Sequence, residues 1–151
     1  MDAESSFAYI AGALTDVPDE RRAALKRLYE QLGDVCVQHG LQGYVPHQHS
    51  DPVTHAHLTP REVYDLDFQR VRLCALLIAY VSEPSLGVGV EIAWAGHHQI
   101  PIVLVAEAKK CAERKISRLI HGFPNVVHMI GFTDHADAVL QLDAWLAANW
   151  Q

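Results

Sequence analysis

The sequence predicts one α/β domain of the flavodoxin-like (Rossmann-like) class over residues 1–151, with a five-stranded parallel sheet in the order 2-1-3-4-5. Three observations predict it. The strand-like runs at 7–11, 76–81 and 101–105 are continuously apolar, as strands covered on both faces require. Helix-period segments separate them, which is the alternation of a parallel sheet. Finally, 151 residues at 50% hydrophobic content suit one domain with one core, and no repeat, linker or low-complexity tract divides them.

Phe7-Ala8-Tyr9-Ile10-Ala11 reads as the first strand, closed by Gly12. Residues 16–40 read as a helix, with Pro18 near its start and Ala23, Leu25, Leu28, Tyr29 and Leu32 as its apolar stripe. Gly43-Tyr44-Val45 is a short second strand, followed by a Pro- and His-rich loop through Leu58. Thr59-Pro60-Arg61-Glu62 is a helix start with proline in the first turn, and that helix runs to about Arg72. Residues 76–81 form the third strand, 89–97 a helix and 101–105 the fourth strand. A short helix at 116–121, a fifth strand at 126–130 and a closing helix at 136–149 complete the chain. In this strand order ligands bind beyond the carboxyl ends of the first and third strands, where Gly12 and the turn at 85–91 fall.

Charge and composition exclude several functions. The net charge is −6, the pI is near 5.9 and the twelve Lys and Arg are scattered, so polymeric nucleic acid and anionic membrane are poor partners. The longest apolar run, 73–81, is too short to span a bilayer. Residues 1–6 show neither the basic region nor the apolar core of a signal sequence. Cys36, Cys74 and Cys111 are odd in number and widely spaced, which points to reduced thiols and a cytoplasmic protein.

The chemistry concentrates in Pro84-Ser85-Leu86-Gly87-Val88-Gly89-Val90-Glu91. A strand running into a Ser/Gly turn and then a helix offers free N–H groups and a positive dipole end to an anion, typically a phosphate. An ordinary βα turn would use the same glycines for tight packing. Glu91 tilts the reading, because a carboxylate in the first turn of a helix is held as the anion and is available as a nucleophile. Asp65 and Asp67 lie on the preceding helix, and Asp67 reads equally well as a solvated helix residue. His47, His49, His55 and His57 lack a Cys or clear carboxylate partner, so loop or substrate contacts outweigh a metal site. His97-His98 ends a helix, Trp94 reads as core or dimer interface, and Trp145 and Trp150 as packing of the last helix.

Tyr9-Ile10-Ala11-Gly12, then Asp67, then the string Ser82-Glu83-Pro84-Ser85-Leu86-Gly87-Val88-Gly89-Val90-Glu91 resembles the nucleoside 2-deoxyribosyltransferase superfamily. The resemblance is greatest to its 2′-deoxynucleoside 5′-monophosphate N-glycosidase and CMP hydrolase branch, with which the 18-residue separation of Asp67 and Ser85 also agrees. It implies that Glu91 attacks C1′ of a nucleotide to form a glycosyl ester that water resolves, with Asp67 positioning Glu91 or protonating the departing base. It further implies that Ser85, Gly87, Gly89 and Ser117 hold the 5′-phosphate and that Tyr9 and Gly12 line the sugar. Ser117 would reach the site of a neighbouring subunit in a homodimer or higher homo-oligomer. The partner implied is a nucleoside 5′-monophosphate, with no metal or other cofactor.

Two departures stand out. Leu14-Thr15-Asp16 replaces the arginine that often follows the first-strand glycine, and the histidine-rich loop places His47 or His49 to face the base. Base exchange by a nucleoside 2-deoxyribosyltransferase is the alternative within the superfamily. A non-catalytic nucleotide sensor is the alternative outside it, and such a protein has no use for Glu91 and Asp67 together.

Overall fold

The computed structural model describes residues 6–151, so the reading of Met1–Ser5 as free of a signal sequence lies outside the described residues. The strands are β1 (Phe7–Ala11), β2 (Gln42–Tyr44), β3 (Leu76–Tyr80), β4 (Ile102–Glu107) and β5 (Val126–Phe132). All neighbouring pairs are parallel, in the order β2-β1-β3-β4-β5, as the sequence predicts. The helices are α1 (Asp19–Gln38), α2 (His47–Ser50), α3 (Pro60–Leu73), α4 (Leu86–His97), α5 (Ala108–Ala112), α6 (Arg118–His121) and α7 (His135–Asn149). Among the described residues no helix is long and apolar enough to cross a membrane.

Strand alternation divides the core into two layers. Ala8 and Ile10 of β1 point with Ile78 and Val103 toward Leu25, Leu28 and Leu32 of α1 and Leu142 and Leu146 of α7. Tyr9 and Ala11 point the other way, with Tyr44, Leu77 and Leu104, toward Val71 of α3 and Ile92 of α4. The period of two therefore delivers the two tyrosine rings to the face covered by α3 and α4.

Local chemistry sets the element ends. α1 begins after Pro18 rather than at residue 16, and Gly40 beyond its end takes φ +80°, which a glycine adopts without strain. Thr59 and Glu62 exchange side-chain and backbone hydrogen bonds as a complete capping box for α3. α4 starts three residues earlier than the expected 89, because the Ser85 side chain caps it by accepting from Val88 N at 3.3 Å. The supposed loop after β2 contains the helical turn α2. Asp51 ends that turn, paired with Lys26 of α1 and accepting from Val53 N at 2.8 Å. The short α5 was not expected, and β5 runs two residues beyond 130.

Candidate active site

A cleft of about 660 Å³ opens beyond the carboxyl ends of β1 and β3. Its walls are residues 12–17 after β1, the α2 turn with His47, Asp67 of α3, and the segment from Glu83 to Glu91. Tyr9, expected to line the sugar, is fully buried and not among the lining residues; from behind the wall it donates its hydroxyl to Glu91 Oε1 at 2.6 Å. Glu91 is 9% exposed. Burial, with the Asp67 charge adding to it, pushes its carboxyl up to about 8, while the Tyr9 hydrogen bond holds it down in part. Burial likewise raises Asp67 to about 6, again with the Tyr9 hydroxyl opposing. Tyr9 itself is pushed far above its ordinary value by burial and by both carboxyls, so it remains a proton donor.

These values correct one expectation. Glu91 is not in the first turn of its helix: with Ser85 as cap it is the sixth helical residue, beyond the reach of the terminal dipole. Burial governs its charge instead and favours the protonated carboxyl.

At the rim, Leu86 and Gly87 lie in the first turn of α4, where the helix supplies no acceptor for their N–H groups. Neither Gly87 nor Gly89 is required by packing: a Cβ on Gly87 would find only Ser85 Oγ, at 3.9 Å, and one on Gly89 would meet nothing within 4 Å. Gly12 differs, since a Cβ there would lie 2.2 Å from Tyr29 Cζ. It lines the cleft and also makes room for that ring, whose hydroxyl donates to Ala13 O at 3.0 Å.

Gly89 and Ser117 are not among the residues lining this cleft. Both face an adjoining hollow of about 310 Å³ that shares Ser85 and Val88 with it, and Ser117 caps α6 by accepting from Ile120 N. Of the two candidate histidines, His47 lines the cleft and its Nε2 donates to Glu30 Oε1 at 2.8 Å. His49 stacks behind, on the Tyr44 ring at 4.5 Å. Asp65 is spent on the exposed Arg61, and Trp94 packs between Tyr64 and Phe68 of α3. Among the described residues no three His, Cys, Asp or Glu side chains converge as a metal site would require.

Sequence reasoning missed Tyr44, Glu30 and the cations near the rim. Arg21 of α1 reaches Glu83 at 2.6 Å, and Arg22 braces the segment after Gly12 through Leu14 O and Val17 O. No linear motif carries these contacts; only the parallel pairing of β1 with β2 and the docking of α1 create them.

Fold and site together define a doubly wound α/β protein with the buried Glu91 carboxyl and the half-buried Asp67 carboxyl beneath the start of α4. The chain belongs to the nucleoside 2-deoxyribosyltransferase family, whose sequence model matches residues 8–138. It is 32% identical over 93 residues to a provisionally named 2′-deoxynucleoside 5′-phosphate N-hydrolase 1 of Thermofilum pendens, and 39% identical over 64 residues to the protein of the same name from Syntrophotalea carbinolica. These matches span 61% and 42% of this chain, and 64% and 44% of those relatives. The structure of Clostridium botulinum CMP N-glycosidase, BcmB, superposes with a TM-score of 0.67 at 24% identity, covering 91% of this chain and 99% of that one. That likeness shows a shared fold.

Proposed function

We propose that the protein hydrolyses the N-glycosidic bond of a nucleoside 5′-monophosphate, releasing the free base and the sugar 5-phosphate. The observation that carries this reading is the hydrogen-bonded Tyr9–Glu91 pair, with Asp67 beside it, under the start of α4. Glu91 attacks C1′ as the base departs, forming a glycosyl ester that water then hydrolyses. The proton that burial favours on these carboxyls leaves with the base through Asp67, so that Glu91 is a carboxylate when positive charge develops at C1′. Ser85 and the first-turn N–H groups meet the phosphate, which fixes the sugar relative to Glu91. Gly12 borders the sugar and His47 the base.

The names of the two curated relatives support a nucleotide over a nucleoside. The turn supports it too, since a neutral 5′-hydroxyl would leave several donors unpaired. We assign Ser117 to the phosphate site of a second copy, in keeping with its place outside the cleft, while Gly89 stays with the turn that Ser85 and Gly87 open. The active form is then a homodimer or larger homo-oligomer. Three free cysteines accord with a cytoplasmic setting.

Base release from a panel of ribo- and deoxyribonucleoside 5′-monophosphates, followed by chromatography, tests the assignment. The expected result is free base with kcat/KM far above that of the matching nucleoside. Equal values, or base exchange when a second free base is added, would move the assignment to the transferase.

A further inference from the structure

Three buried side-chain polar atoms have no hydrogen-bond partner among the described residues: the Tyr44 hydroxyl, His47 Nδ1 and Asp67 Oδ1. Two of them are complementary. A buried hydroxyl requires an acceptor and a buried carboxyl oxygen a donor, and leaving either unpaired costs free energy. Both belong to the surroundings of Tyr9. Tyr44 is its register partner across the β1–β2 pair, with ring centroids 5.4 Å apart and planes inclined by 26°. Tyr44 also stacks on His49, and the Arg70 guanidinium lies 5.1 Å from its ring centre.

The charged and titratable groups around this point come from every packed element: Tyr9 of β1, Tyr44 of β2, His49 of α2, Glu91 of α4, and Asp67 and Arg70 of α3. The Tyr9 hydroxyl is committed to Glu91 Oε1. Tyr44, by contrast, has no acceptor for its hydroxyl among the described residues. Burial and the Asp67 charge raise its hydroxyl to about 12, with Arg70 opposing, so it keeps its proton at any working pH.

We propose that Tyr44 is a positioning residue of the carboxyl pair. Its hydroxyl donates toward Asp67 through one enclosed water, and its ring braces Tyr9 against Glu91. The consequence for catalysis rests on the N-glycosidase reading; the contact with Asp67 does not. A tyrosine at this place gives the proton held by Asp67 a defined route and orientation, which an apolar residue of the same size would not.

Tyr44→Phe keeps the ring and removes only the hydroxyl. Carboxyl-carbon NMR titration of protein labelled at Asp and Glu reads the Asp67 midpoint directly, with Asp67→Asn identifying the signal. In Tyr44→Phe the Asp67 midpoint is expected to rise from about 6 by about one pH unit, a tenfold change in proton affinity. The alkaline limb of kcat against pH, where Asp67 loses the proton that it gives to the base, should move the same way, with KM nearly unchanged. An Asp67 midpoint identical in the two proteins would overturn the proposal, whatever the change in Tm, because a merely structural tyrosine leaves that titration in place. The titration needs no substrate. If the wild-type protein releases base from no nucleotide, the N-glycosidase reading fails, and Tyr44 is still decided by the NMR result.

Discussion

Replacing Glu91 by glutamine should make the protein more stable as well as inactive, and the gain should depend on pH in a defined way. The carboxyl rises from an ordinary value of 4.5 to about 8 on folding. A group whose folded pKa is raised favours the folded state fully below its unfolded pKa. That contribution is lost progressively as pH climbs toward the folded value and is constant above it. Three and a half units at about 1.36 kcal/mol each set an upper bound near 5 kcal/mol above pH 8. Relaxation of the site reduces this to roughly 2–3 kcal/mol, since charged buried groups draw in compensating donors. Glutamine cannot ionise, and its carbonyl still accepts from Tyr9. For a domain of this size about 2–4 °C of Tm accompanies each kcal/mol, so the difference should be near zero at pH 4.5 and grow to roughly 5–10 °C by pH 8. Calorimetric melting of both proteins across pH 4.5–9 makes the comparison. A Tm for Glu91→Gln at or below wild type throughout, or a gap that does not widen with pH, would refute the account of Glu91 as a carboxyl held in the fold at a cost.

Other substitutions separate the remaining roles. Asp67→Asn should lower base release by about 100-fold or more while titration calorimetry still shows nucleotide binding, because a general acid typically contributes 10²–10⁴-fold; lost binding with unchanged turnover per bound nucleotide would contradict this. Ser117→Ala should raise KM more than it lowers kcat, since contacts to the phosphate persist through the reaction. A fully active monomer by sedimentation at micromolar concentration would remove Ser117 from the site. Gly12→Ala places a methyl 2.2 Å from Tyr29 Cζ and should cost about 1–3 kcal/mol in denaturant melts, with a lower Tm even in the absence of nucleotide.

The strand order was legible because each buried strand is a continuous apolar run, and because βα alternation leaves few topologies open. Helix ends were less legible: a Gly-x-Gly pair argues against helix, and only the Ser85 cap decides that α4 includes Gly87 and Gly89. Glu91 was legible as a residue and misread as a charge. Its distance from the helix start and its burial both depend on how α4 lies against β1, which local sequence does not record. The same holds for Tyr44 and Glu30, which matter through pairing with Tyr9 and His47 across elements remote in sequence.

The two glycines that open α4 have a thermodynamic consequence for the protein at rest. Each weakens a helix by about 1 kcal/mol relative to alanine, and here only Ser85 Oγ, 3.9 Å from a Cβ on Gly87, borders the space that their side chains would occupy. The opening turns of α4 are thus the part of that helix with least to hold them when the cleft is empty. An occupant bound to their N–H groups would supply the missing interactions, so ligand affinity and the local rigidity of α4 are two readings of one equilibrium. Hydrogen exchange at residues 86–90 should therefore slow in proportion to cleft occupancy, and it should do so with inorganic phosphate alone, before any glycosidic bond is present to be broken.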